Sequence, residues 1–194
     1  MDINRYLESS QYINWKEPSV SAKAKELSSK TVKDTIRSCF EFVRDEIKHS
    51  NDYKLNPVTV KASDVLLYKT GYCYAKSHLL AALLRANNIP AGLCYQRLTV
   101  NDDGTGDSFS LHGLNAVYLE DIGWYRVDPR GNKENVSADF CPPIEKLAFP
   151  IRYEGEKDLP EIWSEPLRVV TDLLNHSKTY LDVFENLPDV DLLK

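Results

Sequence analysis

Apolar positions recur at helical spacing in two places along the 194-residue chain. In TVKDTIRSCFEFVRDEIK, residues 31–48, the stripe Ile36, Cys39, Phe40, Val43 and Ile47 predicts an amphipathic helix. Thr31 is placed to cap it, with Asp34 three residues on. A second helix is predicted from Tyr72 to Asn87, opened by the break at Thr70-Gly71 and closed by Asn87-Asn88 and Pro90. The pattern then changes to β-branched and aromatic runs. Ala91–Val100, Leu111–Leu119 and Trp124–Val127 read as strands. A turn-rich stretch, Asn101–Gly106, separates the first two, and the tight Glu120–Gly123 connection makes a hairpin of the last two.

The flanks are less regular. Residues 1–30 read as a short helix and a loop, 49–60 as a loop around Pro57, and 61–68 as a short helix begun near Ser63. Residues 129–165 are loop-rich, and 166–187 suggest two short helices. Helices followed by an antiparallel sheet give an α+β fold in one domain, 1–194. Its core spans about 32–135, with a loop-rich and helical extension over 136–194.

Composition narrows the function. With 42% hydrophobic residues the chain can bury a core without disulfides or metal. A net charge of -5 with no basic block argues against nucleic acid as partner. No apolar run approaches the length of a membrane span, and MDINRYLESS does not read as a signal peptide, so a cytoplasmic protein without membrane partner is expected.

Four cysteines occur, with no CxxC pair. Cys39 and Cys94 lie on apolar stripes and read as core thiols, and Cys141 sits in a loop before Pro142 and Pro143. Cys73 follows Gly71-Tyr72 at a helix start, where the positive end of the macrodipole favours a thiolate. Its N–H is one of the helix's unpaired donors and can serve half an oxyanion hole. A buried structural cysteine is the competing reading.

Such a nucleophile needs a base. His78 lies roughly 140° round the helix from Cys73 and reads as a satisfied buried residue. His176 reads as solvent-facing. His49 reads first as a helix-end cap and second as lining a pocket with Asp52. His112 opens the strand LHGLNAVYL, and Asp128 ends the next strand. An even hairpin register puts both on one face. Cys at a helix start, His on one strand and Asp on its neighbour supply a nucleophile, a base and a group that orients the base. The expected bond runs from His112 Nδ1 to Asp128, leaving Nε2 for sulfur. A zinc site on the same three residues is the weaker alternative, since no HExxH or CxxC spacing accompanies them. No nucleotide fingerprint, GxGxxG or GxxxxGK[ST], occurs either.

GYCYAKSHLLAALLRANNIPAGLCY resembles the nucleophile region of bacterial transglutaminase-like proteins, with Gly-x-Cys, a Leu/Ala-rich helix, Arg-Ala near its end and Ile-Pro-Ala entering a strand. LHGLNAVYLEDIGWYRVDPRGNK resembles their segment with the catalytic His and then Trp…Asp-Pro. The resemblance implies a papain-like core and assigns Cys73 as nucleophile, His112 as base and Asp128 as orienter; no cofactor and no metal are expected. Where many members carry a bulky residue soon after the His, this chain has His112-Gly113-Leu114, a departure that bears on the substrate. The activity implied is acyl transfer from a peptide or small amide through a Cys thioester, resolved by water or by an amine. Gln96 and Asn115 are candidate substrate-binding or oxyanion donors from the first two strands. A non-catalytic peptide-binding module on the same fold is the alternative, and oligomeric state is not readable.

Overall fold

The computed structural model describes residues 2–101 and 107–189; most of the turn-rich stretch 101–106 lies outside them. A 3₁₀ turn at Ile3–Leu7 precedes helices α1 (Pro18–Leu27) and α2 (Val32–Glu41). Then come strand β1 (Lys48–His49), short helix α3 (Ser50–Tyr53), helix α4 (Ala62–Tyr68), strand β2 (Thr70–Gly71) and helix α5 (Cys73–Ala86). Strands β3 (Ala91–Thr99), β4 (Phe109–Leu119) and β5 (Gly123–Val127) follow. The chain continues through β6 (Asp139–Cys141), β7 (Ile144–Lys146) and β8 (Lys157–Asp158) to α6 (Arg168–His176) and α7 (Tyr180–Glu185). No helix among the described residues is long and apolar enough to cross a membrane.

Helix α5 is the centre. Every side chain from Cys73 to Arg85 is buried, so the helix is covered all round rather than on one stripe. Helices α1, α2 and α4 pack on it from one side and the sheet from the other. The sheet has the order β5-β4-β3-β8 and is antiparallel throughout. Arg85 ties the far end of α5 down: its guanidinium donates to the carbonyls of Ala91, Ser164 and Glu8.

Thr31 caps α2 as expected, accepting from the Asp34 N–H. The helix predicted over 31–48, however, ends as α-helix at Glu41 and continues as one π-helical turn, Phe42–Glu46. The reason lies outside the local sequence. Lys76, on α5, donates to the carbonyls of Arg44 and Ile47 and so takes over acceptors the α-helical ladder leaves. Lys48 and His49 then leave the helix to pair in parallel with Thr70 and Gly71. His49 is thus a buried strand residue and not the cap of the first helix. The opening 30 residues hold a full helix, α1, begun by Pro18 at its first turn, where a missing N–H costs nothing. The proline-rich segment after residue 129 also contributes strands, and β8 extends the main sheet beside β3.

Candidate active site

The β4–β5 register pairs Asn115 with Val127 and Leu119 with Gly123, an even sum, so His112 and Asp128 emerge on one face. Strand β5 stops at Val127, and Pro129 soon after has no N–H to continue a ladder. Below that rung β4 has a free edge. The Leu111 N–H on this edge donates to Pro188 O at 2.7 Å, and the Gly113 N–H donates to Cys73 Sγ at 3.5 Å. Cys73 therefore meets the sheet at its open edge, where a backbone donor is left for sulfur.

Gly113 makes this approach possible. A Cβ there would lie 2.9 Å from Tyr74 Cδ1 and 3.1 Å from Tyr74 Cα, closer than packed carbons come. The Tyr74 hydroxyl donates to Leu111 O and fixes the first turn of α5 on β4. Gly71 is needed for a similar reason: a Cβ would stand 3.1 Å from Thr59 Oγ1 and 3.2 Å from Ala75 Cβ.

Asp128 is completely buried and its two oxygens are in use. Oδ2 accepts from His112 Nε2 at 2.8 Å and from the Ala148 N–H at 3.1 Å, and Oδ1 accepts from the Arg130 N–H at 3.1 Å. Burial alone would raise this carboxyl, but His112 and the two backbone donors outweigh it, and its pKa lies below the ordinary value. For His112, burial alone would favour the neutral ring. The Asp128 charge and hydrogen bond, with a hydrogen bond to Cys73, reverse that and raise its pKa to about 10. The ring is held as an imidazolium between carboxylate and thiol. The contact with Asp128 runs through Nε2, not the expected Nδ1, so Nδ1 is the nitrogen left for sulfur. Strand alternation fixes the face of the ring but not which nitrogen reaches the carboxylate.

The 147–149 segment covers this pair from outside. The Phe149 ring stands edge-on to His112 at 5.0 Å. Arg130 holds Asp52 through both guanidinium nitrogens, at 2.6 and 3.1 Å, and lies over Phe149. Burial would raise the Asp52 carboxyl, but Arg130 and its neighbours bring it down to about 2. Cys73 and His112 open into a cleft of about 720 Å³, whose walls include Tyr72, Leu98, Arg130, Phe149 and Arg152.

Gln96 and Asn115 lie elsewhere. Gln96 pairs with His112 across the strands and shares its face, but its amide is taken up there, donating to Asp158 at 2.9 Å and Phe149 O at 3.2 Å. Asn115 faces α5 and donates to Ser77 O and Gly92 O, tying helix to sheet. Neither lines the cleft. His49 does line it, in keeping with the second of its two sequence readings, with Nδ1 3.6 Å from Asp52. His78 is buried with Nδ1 on Val60 O, and Cys39 and Cys94 are buried as expected. Sequence reasoning missed Arg130, Phe149 and Lys76. Arg130 was visible only as the residue after Asp128-Pro129, and nothing local marks Phe149.

The sequence matches the transglutaminase-like superfamily over residues 21–129. Among solved structures, a candidate cysteine protease from Cytophaga hutchinsonii superposes with a TM-score of 0.51 at 18% identity, covering 66% of this chain and 42% of that one. The periplasmic domain of TgpA from Pseudomonas aeruginosa gives 0.47 at 21% identity, covering 66% and 46%. The match thus spans less than half the length of either structure. No curated protein matches the sequence.

Proposed function

The chain belongs to the transglutaminase-like superfamily, and from that premise we propose that it is a cysteine enzyme acting on the amide of a peptide or small molecule. Cys73 is the nucleophile, His112 the acid–base group and Asp128 its orienter. One observation carries this reading: His112 bridges a buried, ionised Asp128 and the Cys73 thiol on the wall of an open cleft.

His112 takes the Cys73 proton, or the two rest as an ion pair, with the Gly113 N–H donating to sulfur. The thiolate adds to the amide carbonyl carbon. The carbonyl oxygen becomes an oxyanion that the Cys73 N–H, free at the helix start, is placed to receive. His112 gives its proton to the amide nitrogen, the C–N bond breaks, and the amine leaves a thioester on Cys73. Water or a second amine then attacks the thioester while the now neutral His112 takes its proton. The thiolate departs and the ion pair is restored. Throughout, Asp128 holds the ring and offsets its charge. Water as acceptor gives a protease or amidase, and an amine gives a transglutaminase. A cytoplasmic location suits a nucleophile that must stay reduced beside three further free thiols.

The test is an intact-mass search for a thioester after incubation with a panel of peptide and glutamine-amide substrates, with Cys73→Ala as control. An adduct localised to Cys73 and absent from the variant supports the reading. If Cys73→Ala turns over any of these amides as well as the native chain does, the nucleophile is misassigned. Alkylation of native Cys73 no faster than of an unfolded thiol would favour a peptide-binding module instead.

A further inference from the structure

Behind the cleft lies a second cavity of about 350 Å³, sharing His49, Asp52, Arg130 and Lys133 with it. Its charge is unbalanced. Five cationic side chains line it, Arg44, Lys48, Lys76, Arg130 and Lys133, against the carboxylates of Asp45 and Asp52. This stands out in a chain whose net charge is -5. Asp45 is held by Arg44 through two hydrogen bonds, at 2.7 and 2.8 Å. Asp52 is shared by Arg130 and Lys133. Lys76 is left with backbone carbonyls and Lys48 with one carbonyl and the Tyr53 ring, 5.3 Å away, and no carboxylate among the described residues pairs with either.

Lys76 is the unusual member, because it is wholly buried. A buried ammonium without an opposite charge is costly. Two of its three protons go to the carbonyls of Arg44 and Ile47, and the third has no partner among the described residues. A second polar group on the same wall lacks a hydrogen bond: His49 Nδ1 is buried, and its nearest carboxylate oxygen, on Asp52, stands 3.6 Å away. Two unused polar positions, one cationic, line a cavity whose remaining groups are positive in excess.

We propose that this cavity binds a small oxyanion, the phosphate or carboxylate group of a ligand, with Lys76, Lys48 and Lys133 as its donors. Burial, reinforced by Arg130, holds Lys76 down to about 7, and a bound oxyanion would return its full charge. The anion has two sources, a free ion or the anionic end of a molecule seated in the adjoining cleft. The inference does not depend on the catalytic assignment.

Titration calorimetry with inorganic phosphate, at ionic strength held constant with chloride, tests it. The full chain should show saturable binding at one site. Lys133→Gln and Lys48→Gln should each weaken it at least threefold. Lys146→Gln, the same charge loss at an exposed position on β7 away from the cavity, should leave it unchanged. Cys73→Ala should bind as tightly as the native chain, which separates this test from the catalytic one. Alkylation of Cys73 then identifies the source. Slowing by glutarate, long enough to extend into the cleft, but not by phosphate marks the anionic end of a cleft ligand; slowing by neither marks a free anion. No saturable phosphate binding, or an equal loss from Lys146→Gln, would overturn the proposal.

Discussion

Replacing Asp128 by Asn removes one charge and adds one amide N–H₂ at a site where all the neighbours are donors. His112 and the Ala148 N–H point at Oδ2 and the Arg130 N–H at Oδ1. The least disruptive placement keeps the amide oxygen at Oδ2 and turns the nitrogen toward the Arg130 N–H. The Arg130 N–H and the new amide N–H₂ are then both unsatisfied, at a cost of about 1–3 kcal/mol each. In a domain of this size each kcal/mol lowers the thermal midpoint by about 2–4 °C. The effect on reactivity is larger. A carboxylate this close favours a neighbouring cation by about 1–3 pKa units, or about 1.4–4 kcal/mol. His112 is raised, so its imidazolium contribution is present below the ordinary histidine range and is lost as pH climbs through about 10. The Asp128→Asn substitution should bring that alkaline limit down toward the ordinary range. The assay is the rate of Cys73 alkylation by iodoacetamide against pH. At pH 7.5 the variant should react more slowly, by up to about 1,000-fold where the lost units tip the pair to thiol and neutral imidazole. Equal rates at that pH, with a folded protein by circular dichroism, would refute the role given to Asp128.

Other expectations follow from the same geometry. Burial pushes the thiols of Cys39 and Cys94 up to about 12, so timed labelling at neutral pH should modify Cys73 well before either; native-state labelling of Cys39 at the rate of Cys73 would contradict this. Gly113→Ala should push the start of α5 away from β4, lowering both the thermal midpoint and Cys73 reactivity, whereas Gly123→Ala, with open space around its Cβ, should spare the reactivity even though its backbone is strained. Below the ordinary carboxylate range the native chain should lose stability as Asp128 and Asp52 protonate, because both are depressed and their contribution is present only above the unfolded pKa; an acid unfolding curve unchanged by Asp128→Asn would count against it.

What could be read from the chain was whatever its own periodicity specified. The α5 helix and the β3, β4 and β5 strands came from spacing and turn residues, and hairpin parity gave the shared face of His112 and Asp128. The parts that were not legible depend on partners distant in sequence. The π turn at Phe42–Glu46 ends on carbonyls, of Arg44 and Ile47, that Lys76 takes up, a contact across about thirty residues that no local pattern announces. The same long reach decided the fates of Gln96 and Asn115. Their strand positions were read correctly, but Asp158 and Ser77 were the partners that claimed their amides.

That dependence on distance also changes the standing of the residues after 129, which lie outside the superfamily match. Sequence reading sets 136–194 apart as an extension to a core. Yet Ala148 supplies one of the backbone donors to Asp128, Phe149 closes over His112, and Pro188 covers the β4 edge two residues from Gly113. Val170, Leu174 and Val183 from α6 and α7 enter the same apolar core as α5. A buried carboxylate holds its charge only while its hydrogen-bond donors stay in place. If the 147–149 segment withdrew, Asp128 would lose a donor and its shelter from solvent together, and its hold on the imidazolium would weaken. The helix, strand and hairpin of the matched region thus place three side chains, while the segment beyond it sets the electrostatic environment around them.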